Sequence, residues 1–458
     1  MTLARRYDSE QKISWVQKVI TWIAVFELGL LCGIEAVFFA VVSNTAPFDF
    51  AYANPSSIFQ GLTTALYPIF AAIGSVSVLF LVQFSSARKL LVASVWIWLA
   101  GYLMVVLVIN RGGLIVGRMF KGYAIGVILS VIPSYAQTVF AYPTSARLLI
   151  AVQASIPLGI LIISLLSTQI YHKSMSEIPF HRIWVLAGIP AFPAVLLTVF
   201  IVSDTKKDRR TTMNELLNQS QKRVSTVVPR SHRIRSWLRR VKTNMKNPVE
   251  EVKAMLASSK DSKGFLFACM TQVSVPLTGI NVVLYFVGSV CKLVGVENAD
   301  IASFSLGIYA CNFAATILSI FLVDKMPPIA TLRWTLIALS FIQGFTGVLL
   351  SMAQHQDSSV SKHLGITALV LLFVFVFVFS AFYAGVSYVV TTDACPKRYR
   401  NTALGLAIAA GWLVNAAYTV VATKIMEKMG PFTFCVFGFT CALFGFFFVF
   451  VEPDKAPS

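Results

Sequence analysis

Apolar residues fall into twelve runs along the chain, over residues 18–43, 58–83, 89–110, 113–138, 148–171, 182–203, 264–290, 301–323, 330–352, 365–391, 402–424 and 431–451. Each is about 20 residues or longer, enough to cross the hydrocarbon core of a bilayer as a helix. Short polar or Gly/Pro breaks separate them. In lipid no water is available to pair backbone N–H and C=O groups, so each run is predicted to be a helix bonded within itself. The alternating strands of a membrane barrel are not seen. The pattern predicts an all-α membrane protein with twelve transmembrane helices. The first run follows Arg5, Arg6, Lys12 and Lys18, carries no small-residue cleavage site, and is expected to be retained as a span.

One long polar stretch interrupts the runs. Residues 204–263 hold sixteen Lys and Arg against six Asp and Glu, and they divide the chain into a half of six spans over 1–203, a basic linker, and a second half of six spans over 264–458. The halves repeat each other weakly. L-V-Q-F-S-S-A-R-K follows the second span and L-V-D-K-M-P-P-I-A the eighth, and Pro143 lies four before Arg147 as Pro396 lies four before Arg400. Two six-helix halves joined by a central cytoplasmic loop are the architecture of a carrier that rocks one half against the other.

Composition agrees: 57% of the residues are hydrophobic and only 13% are charged. The net charge of +18 does not indicate nucleic-acid binding, because the cations cluster where the positive-inside bias puts them. With the N-terminus inside, Arg88, Lys89, Arg147, the linker, Lys325, Arg333, Lys397, Arg398 and Arg400 all fall in inside loops, and both termini are cytoplasmic. The linker's I-R-S-W-L-R-R-V is either a basic amphipathic helix lying on anionic lipid or a solvated connection. The seven cysteines, Cys32, Cys269, Cys291, Cys311, Cys395, Cys435 and Cys441, show neither metal-ligand spacing nor a disulfide framework. No cofactor is implied, and no catalytic constellation lies within the spans, so an enzyme is not expected.

Two buried-looking carboxylates stand out in the first span, Glu27 and Glu35 of F-E-L-G-L-L-C-G-I-E. A charge at mid-bilayer costs about 2.5–3.5 kcal/mol on insertion scales, so each needs a partner or a task. They are about 80° apart around a helix and roughly 12 Å along it, so they need not share one.

Several motifs, in order, resemble the sugar porters of the major facilitator superfamily. The fourth span has G-R-M-F-K-G-Y-A-I-G and P-S-Y, the fifth Q-A-S-I-P-L-G with Gln153 six before Gly159, and the seventh T-G-I-N-V-V-L-Y-F with Asn281 and Tyr285. The eighth has Asn312 in A-C-N-F, and T-T-D-A-C-P-K-R-Y-R then W-L-V-N follow with Asp393, Arg400, Trp412 and Asn415. Departures occur as well: Val275 and Pro276 replace the family's glutamine pair, with Gln272 one turn earlier, and Tyr388 stands at the tenth-span tryptophan.

The resemblance implies the major facilitator fold, a membrane transporter, and a sugar or polyol as the small-molecule partner. Sugar hydroxyls both donate and accept while the C–H faces are apolar, so uncharged amides and aromatic rings suit them. Gln153, Asn281 and Asn312 are the implied amide contacts, with Tyr388 and Trp412 as the rings. Each amide taken alone could equally bond a neighbouring helix. Glu35 aligns with the carboxylate of proton-coupled relatives, with Arg118 as its implied partner, so a proton is a second expected partner; a static ion pair is the alternative. Lys121, one turn beyond Arg118, is a further cation that could compete for Glu35. Tyr285, Arg147 and the Asp393/Arg400 pair are the implied gate. A nutrient sensor on the same scaffold is the second reading. The expected location is a plasma, vacuolar or other internal membrane.

Overall fold

The structure is a computed structural model in which residues 15–42, 55–141, 143–172, 247–285, 298–354 and 358–451 are described, with single positions 48, 52, 53, 188 and 291. The described residues are helical, joined by short turns, and hold no strand. From the first half come α1 (Trp15–Val42), α2 (Ser57–Phe84), α3 (Ala87–Leu107), α4 (Arg111–Val139) and α5 (Thr144–His172). From the end of the linker comes α6 (Pro248–Ala257), and from there into the second half α7 (Ser259–Leu277), α8 (Ile280–Tyr285), α9 (Asn298–Leu322), α10 (Pro328–Ala353), α11 (Ser358–Phe379), α12 (Gly385–Ala394), α13 (Arg400–Met429) and α14 (Phe432–Phe450). Eleven stretches among the described residues are long and apolar enough to cross a membrane. They match eleven of the expected runs within a few residues. The sixth run, 182–203, lies outside the described residues apart from Gly188, as does most of the linker.

Two runs are not the continuous helices that hydropathy suggests. The seventh breaks between α7 and α8, where Pro276 lacks an N–H and Gly279 turns to φ +84°. The carbonyls freed there are taken up by side chains: Thr440 donates to Leu277 at 2.6 Å and Gln343 to Thr278 at 3.3 Å. The tenth run contains a π segment, Ser380–Ala384, between α11 and α12. One extra residue in the turn is a feature found often at functional positions. The end of the linker is also ordered: α6 seats Met255 among Ala268, Cys395, Tyr399, Ala403 and Leu404, and Glu251 accepts from Thr402 at 2.9 Å.

Lipid tails are as apolar as leucine, so helices gain little hydrophobic driving force from each other and associate where small residues let backbones approach. α1 packs on α5 with Gly33 against the Ile156 carbonyl, and α2 on α4 with Gly126 against the Ala71 carbonyl. A Cβ at either glycine would stand 1.9 Å from that oxygen. Across the halves, α2 packs on α13 and α5 on α9. Exchanging the halves turns one of these pairs into the other, because the second and eighth spans correspond, as do the fifth and eleventh. That is the geometry of a pseudo-twofold duplication.

Gly126→Val is expected to lower the thermal midpoint of the detergent-solubilised protein, with an overpacking cost of about 1–3 kcal/mol. Gly61→Ala, whose added methyl meets nothing within 4 Å, is the control and should leave the midpoint unchanged. Equal midpoints for both variants would show that α2 and α4 do not meet as described.

Candidate functional site: a central cavity and a buried charge cluster

A cavity of about 230 Å³ lies between the halves. The first half contributes Cys32 and Ala36 of α1, Tyr67 of α2, Leu129 of α4, and Gln153, Ile156, Pro157 and Ile160 of α5. The second contributes, among others, Gln272 of α7, Asn281 of α8, Asn312 and Thr316 of α9, Ser387 and Tyr388 of α12, and Trp412 and Asn415 of α13. The five residues expected at a sugar site, Gln153, Asn281, Asn312, Tyr388 and Trp412, therefore share one hollow. No Asp, Glu, Lys, Arg or His is among its described lining residues.

Most of the amides are already oriented by neighbours. Asn281 donates from Nδ2 to Asn415 Oδ1 at 2.8 Å, and Asn312 Oδ1 accepts from the Ser380 hydroxyl at 2.8 Å. Gln272 donates from Nε2 to the Thr391 hydroxyl at 2.8 Å. These bonds leave Asn312 Nδ2 and Asn415 Nδ2 as donors and Asn281 Oδ1 and Gln272 Oε1 as acceptors. Among the described residues Gln153 makes no hydrogen bond, so both ends of its amide stay available. Trp412 meets Tyr67 edge to face, centroids 5.7 Å apart, as one apolar wall. The amide pair missing from the seventh span is replaced by the bare surface of Val275 and Pro276. Asn415 and Gln272 stand in the cavity without having been singled out as contacts. The W-L-V-N motif held the signal for the first, and the one-turn offset of Gln272 held that for the second.

Glu35 does not face this cavity. Cys32 and Ala36, four apart on α1, line it, while Glu35 is turned toward α4. There its carboxylate lies between two cations: Lys121 Nζ stands 2.8 Å from Oε1 and Arg118 Nη1 3.7 Å from Oε2. All three side chains are at most 3% exposed. Arg118, the expected partner, is therefore the more distant one, and Lys121 makes the hydrogen bond. The Arg118 guanidinium lies 4.5 Å from the Phe39 ring centroid and 5.4 Å from that of Tyr67, and its Nε reaches the Thr63 carbonyl at 3.4 Å. Cation–π contact and a carbonyl thus hold the charge that the carboxylate does not reach closely.

At the end of the bundle that carries the loop cations, the halves meet through side chains. Arg147 Nε donates to Asp324 Oδ2 at 2.6 Å, and its Nη2 binds the same oxygen. Asp324 belongs to the L-V-D turn after the eighth span. Asp393 accepts from Gln137 Nε2 at 2.9 Å. The expected Asp393/Arg400 ion pair is not formed. The two line a second hollow, also of about 230 Å³, with Gln137 instead, because Gln137 supplies the donor from the opposite half. Tyr285 closes α8, and its side chain lies outside the described residues. Glu27, without an expected partner, keeps Oε2 buried and unbonded among the described residues.

A duplicated helical bundle around an uncharged central cavity defines a membrane carrier scaffold, the major facilitator fold. The pattern of the family described as "Sugar (and other) transporter" matches residues 11–455, and the chain belongs to that family. It is 29% identical to hexose transporter HXT10 of Saccharomyces cerevisiae over 177 residues, 38% of this chain and 32% of that protein. It is 25% identical over 403 residues to "Solute carrier family 2, facilitated glucose transporter member 1" of Gallus gallus, covering 86% of this chain and 79% of that one. The chain spans about a third of the length of the yeast hexose transporters it matches. Its fold is that of the proton:xylose symporter XylE bound to 6-bromo-6-deoxy-D-glucose, with a TM-score of 0.72 at 18% identity over 95% of this chain and 96% of that one.

Neutralising Glu35 leaves two buried cations without their anion, a loss of about 3–5 kcal/mol for a broken buried pair. Glu35→Gln is expected to lower the thermal midpoint clearly, and Lys121→Met added to it should recover part of the loss. A Glu35→Gln variant that melts with the parent would mean that the cluster does not form.

Proposed function

We propose that this protein carries a neutral sugar or polyol across a membrane by alternating access. The halves over 1–203 and 264–458 are the rocking units, and the 204–263 linker lies at the cytoplasmic side with both termini. The observation that carries this reading is the central cavity between the halves, lined by uncharged amides and aromatic rings from both. Family membership and the major facilitator fold support it. A charged solute entering the cavity would give up its hydration without meeting a counter-charge, a cost that a polyhydroxyl compound avoids. Its hydroxyls match both signs of the free amide groups, and its C–H faces suit Trp412, Tyr67 and the Val275/Pro276 wall.

The basic end is the closed gate in this arrangement, through Arg147 with Asp324 and Gln137 with Asp393. Exposed pairs of this kind are individually worth about 0–1 kcal/mol, which suits a closure that must open in each cycle. Proton coupling is assigned to Glu35. Protonating it removes the anion that lies between Lys121 and Arg118, so the two cations then repel across a buried site. Proton binding works against the α1–α4 arrangement and favours one in which the cations separate or meet water. That is how a gradient would enter the cycle.

Purified protein in liposomes is expected to take up one or more labelled sugars or polyols, from a panel that includes xylose, glucose and a polyol, and no sugar phosphate. Gln153→Ala should weaken half-saturation about two- to tenfold, the worth of a neutral hydrogen bond. Absence of uptake across the panel, with binding retained, would favour the sensor reading instead. With an imposed proton gradient the parent should accumulate substrate above equilibrium, while Glu35→Gln should only equilibrate. Gradient-driven accumulation by Glu35→Gln would remove the coupling role.

A further inference from the structure

Pro133 lies within α4 and has no N–H to donate. The carbonyl four residues before it, that of Leu129, therefore lacks its helical donor. The Tyr388 hydroxyl donates to that carbonyl. Donor and acceptor belong to opposite halves, Tyr388 on α12 and Leu129 on α4. Both residues line the cavity and both are buried, 4% and 7% exposed. The bond lies on the cavity's side toward the basic end, since Gln137 and Asp393, farther along the same two helices, bridge the halves there.

We propose that Tyr388 is the inner latch of the carrier. Its hydroxyl, held by the carbonyl that Pro133 frees, keeps the halves together beneath the cavity, and it must let go each time the cavity opens toward the basic end. This rests on the alternating-access reading. The Arg147–Asp324 pair is half-exposed on the arginine side and competes with water, so it holds the end only weakly. The tyrosine bond is shielded, and in a low-dielectric setting an unpaired carbonyl is costly. The latch therefore gives way when water enters from below to solvate both groups, which ties opening to wetting of the cavity floor. The ring of Tyr388 still faces the substrate space, while its hydroxyl serves the closure.

The test is a double-mutant cycle read by spin-label distances. Labels on cysteines placed at Ala141 and Lys397, exposed residues on opposite halves at the basic end, report closed and open populations. The three partly buried native cysteines, Cys269, Cys311 and Cys435, are replaced by alanine in all variants. Tyr388→Phe, which keeps the ring, should raise the open-to-closed ratio about three- to tenfold. Pro133→Ala restores a helical N–H to the Leu129 carbonyl and should also raise it. In the Pro133→Ala background, adding Tyr388→Phe should change the ratio less than about twofold, as expected for two sites that share one interaction. The proposal is overturned if Tyr388→Phe alone leaves the ratio unchanged, or if the two effects multiply independently. Uptake by the same parent in liposomes separates the two readings: a parent that transports nothing ends the carrier assignment, while the distance populations still decide the latch.

Discussion

In hydrocarbon every backbone polar group needs a partner, and the irregular points of this bundle are organised around that need. Pro133 removes one N–H donor from the continuous α4, and Pro276 with Gly279 separates α7 from α8, so both places leave carbonyl oxygens without helical donors. Those oxygens are met by side chains of other helices: Leu129 by Tyr388, Leu277 by Thr440, Thr278 by Gln343. Of these partners Tyr388 also lines the hollow, so its hydroxyl serves the backbone of α4 while its ring borders the cavity.

Charge is kept apart from that hollow. One helix, α1, separates the two: Cys32 and Ala36 look into the cavity, and Glu35 looks toward Arg118 and Lys121 on α4. A neutral solute thus meets neutral groups, while the charged cluster lies one helix face away, close enough for a change there to tilt α1. The cluster carries two cations and one anion, so its balance changes sharply with a single proton. Tyr67 touches both the hollow and the cluster, lining the cavity while its ring centroid lies 5.4 Å from the Arg118 guanidinium.

Much of this was legible along the chain. Spans appeared at nearly the right limits because length and hydropathy are imposed by the bilayer itself, independently of neighbours. The amides Gln153, Asn281 and Asn312 stood out because they fall on motifs that resemble those of the sugar porters. Local reading did less well with partners. Arg118 was the expected mate of Glu35, yet Lys121 is nearer, because one turn of α4 sets which cation faces α1. Asp393 was paired with its own neighbour Arg400, whereas Gln137 reaches it from the other half.

The sequence by itself determined the helical class, the span limits, the twofold repeat and the kinds of group available for recognition, since these depend on periodicity and on the cost of polarity in lipid. Only the tertiary structure decided which amides were left free, which cation took Glu35, where Asp324 and Gln137 joined the halves, and that Tyr388 closed on Leu129. Those outcomes depend on helix rotation and on contacts between residues 68 to 259 apart in the chain, and a rotation of one residue, about 100°, changes every partner.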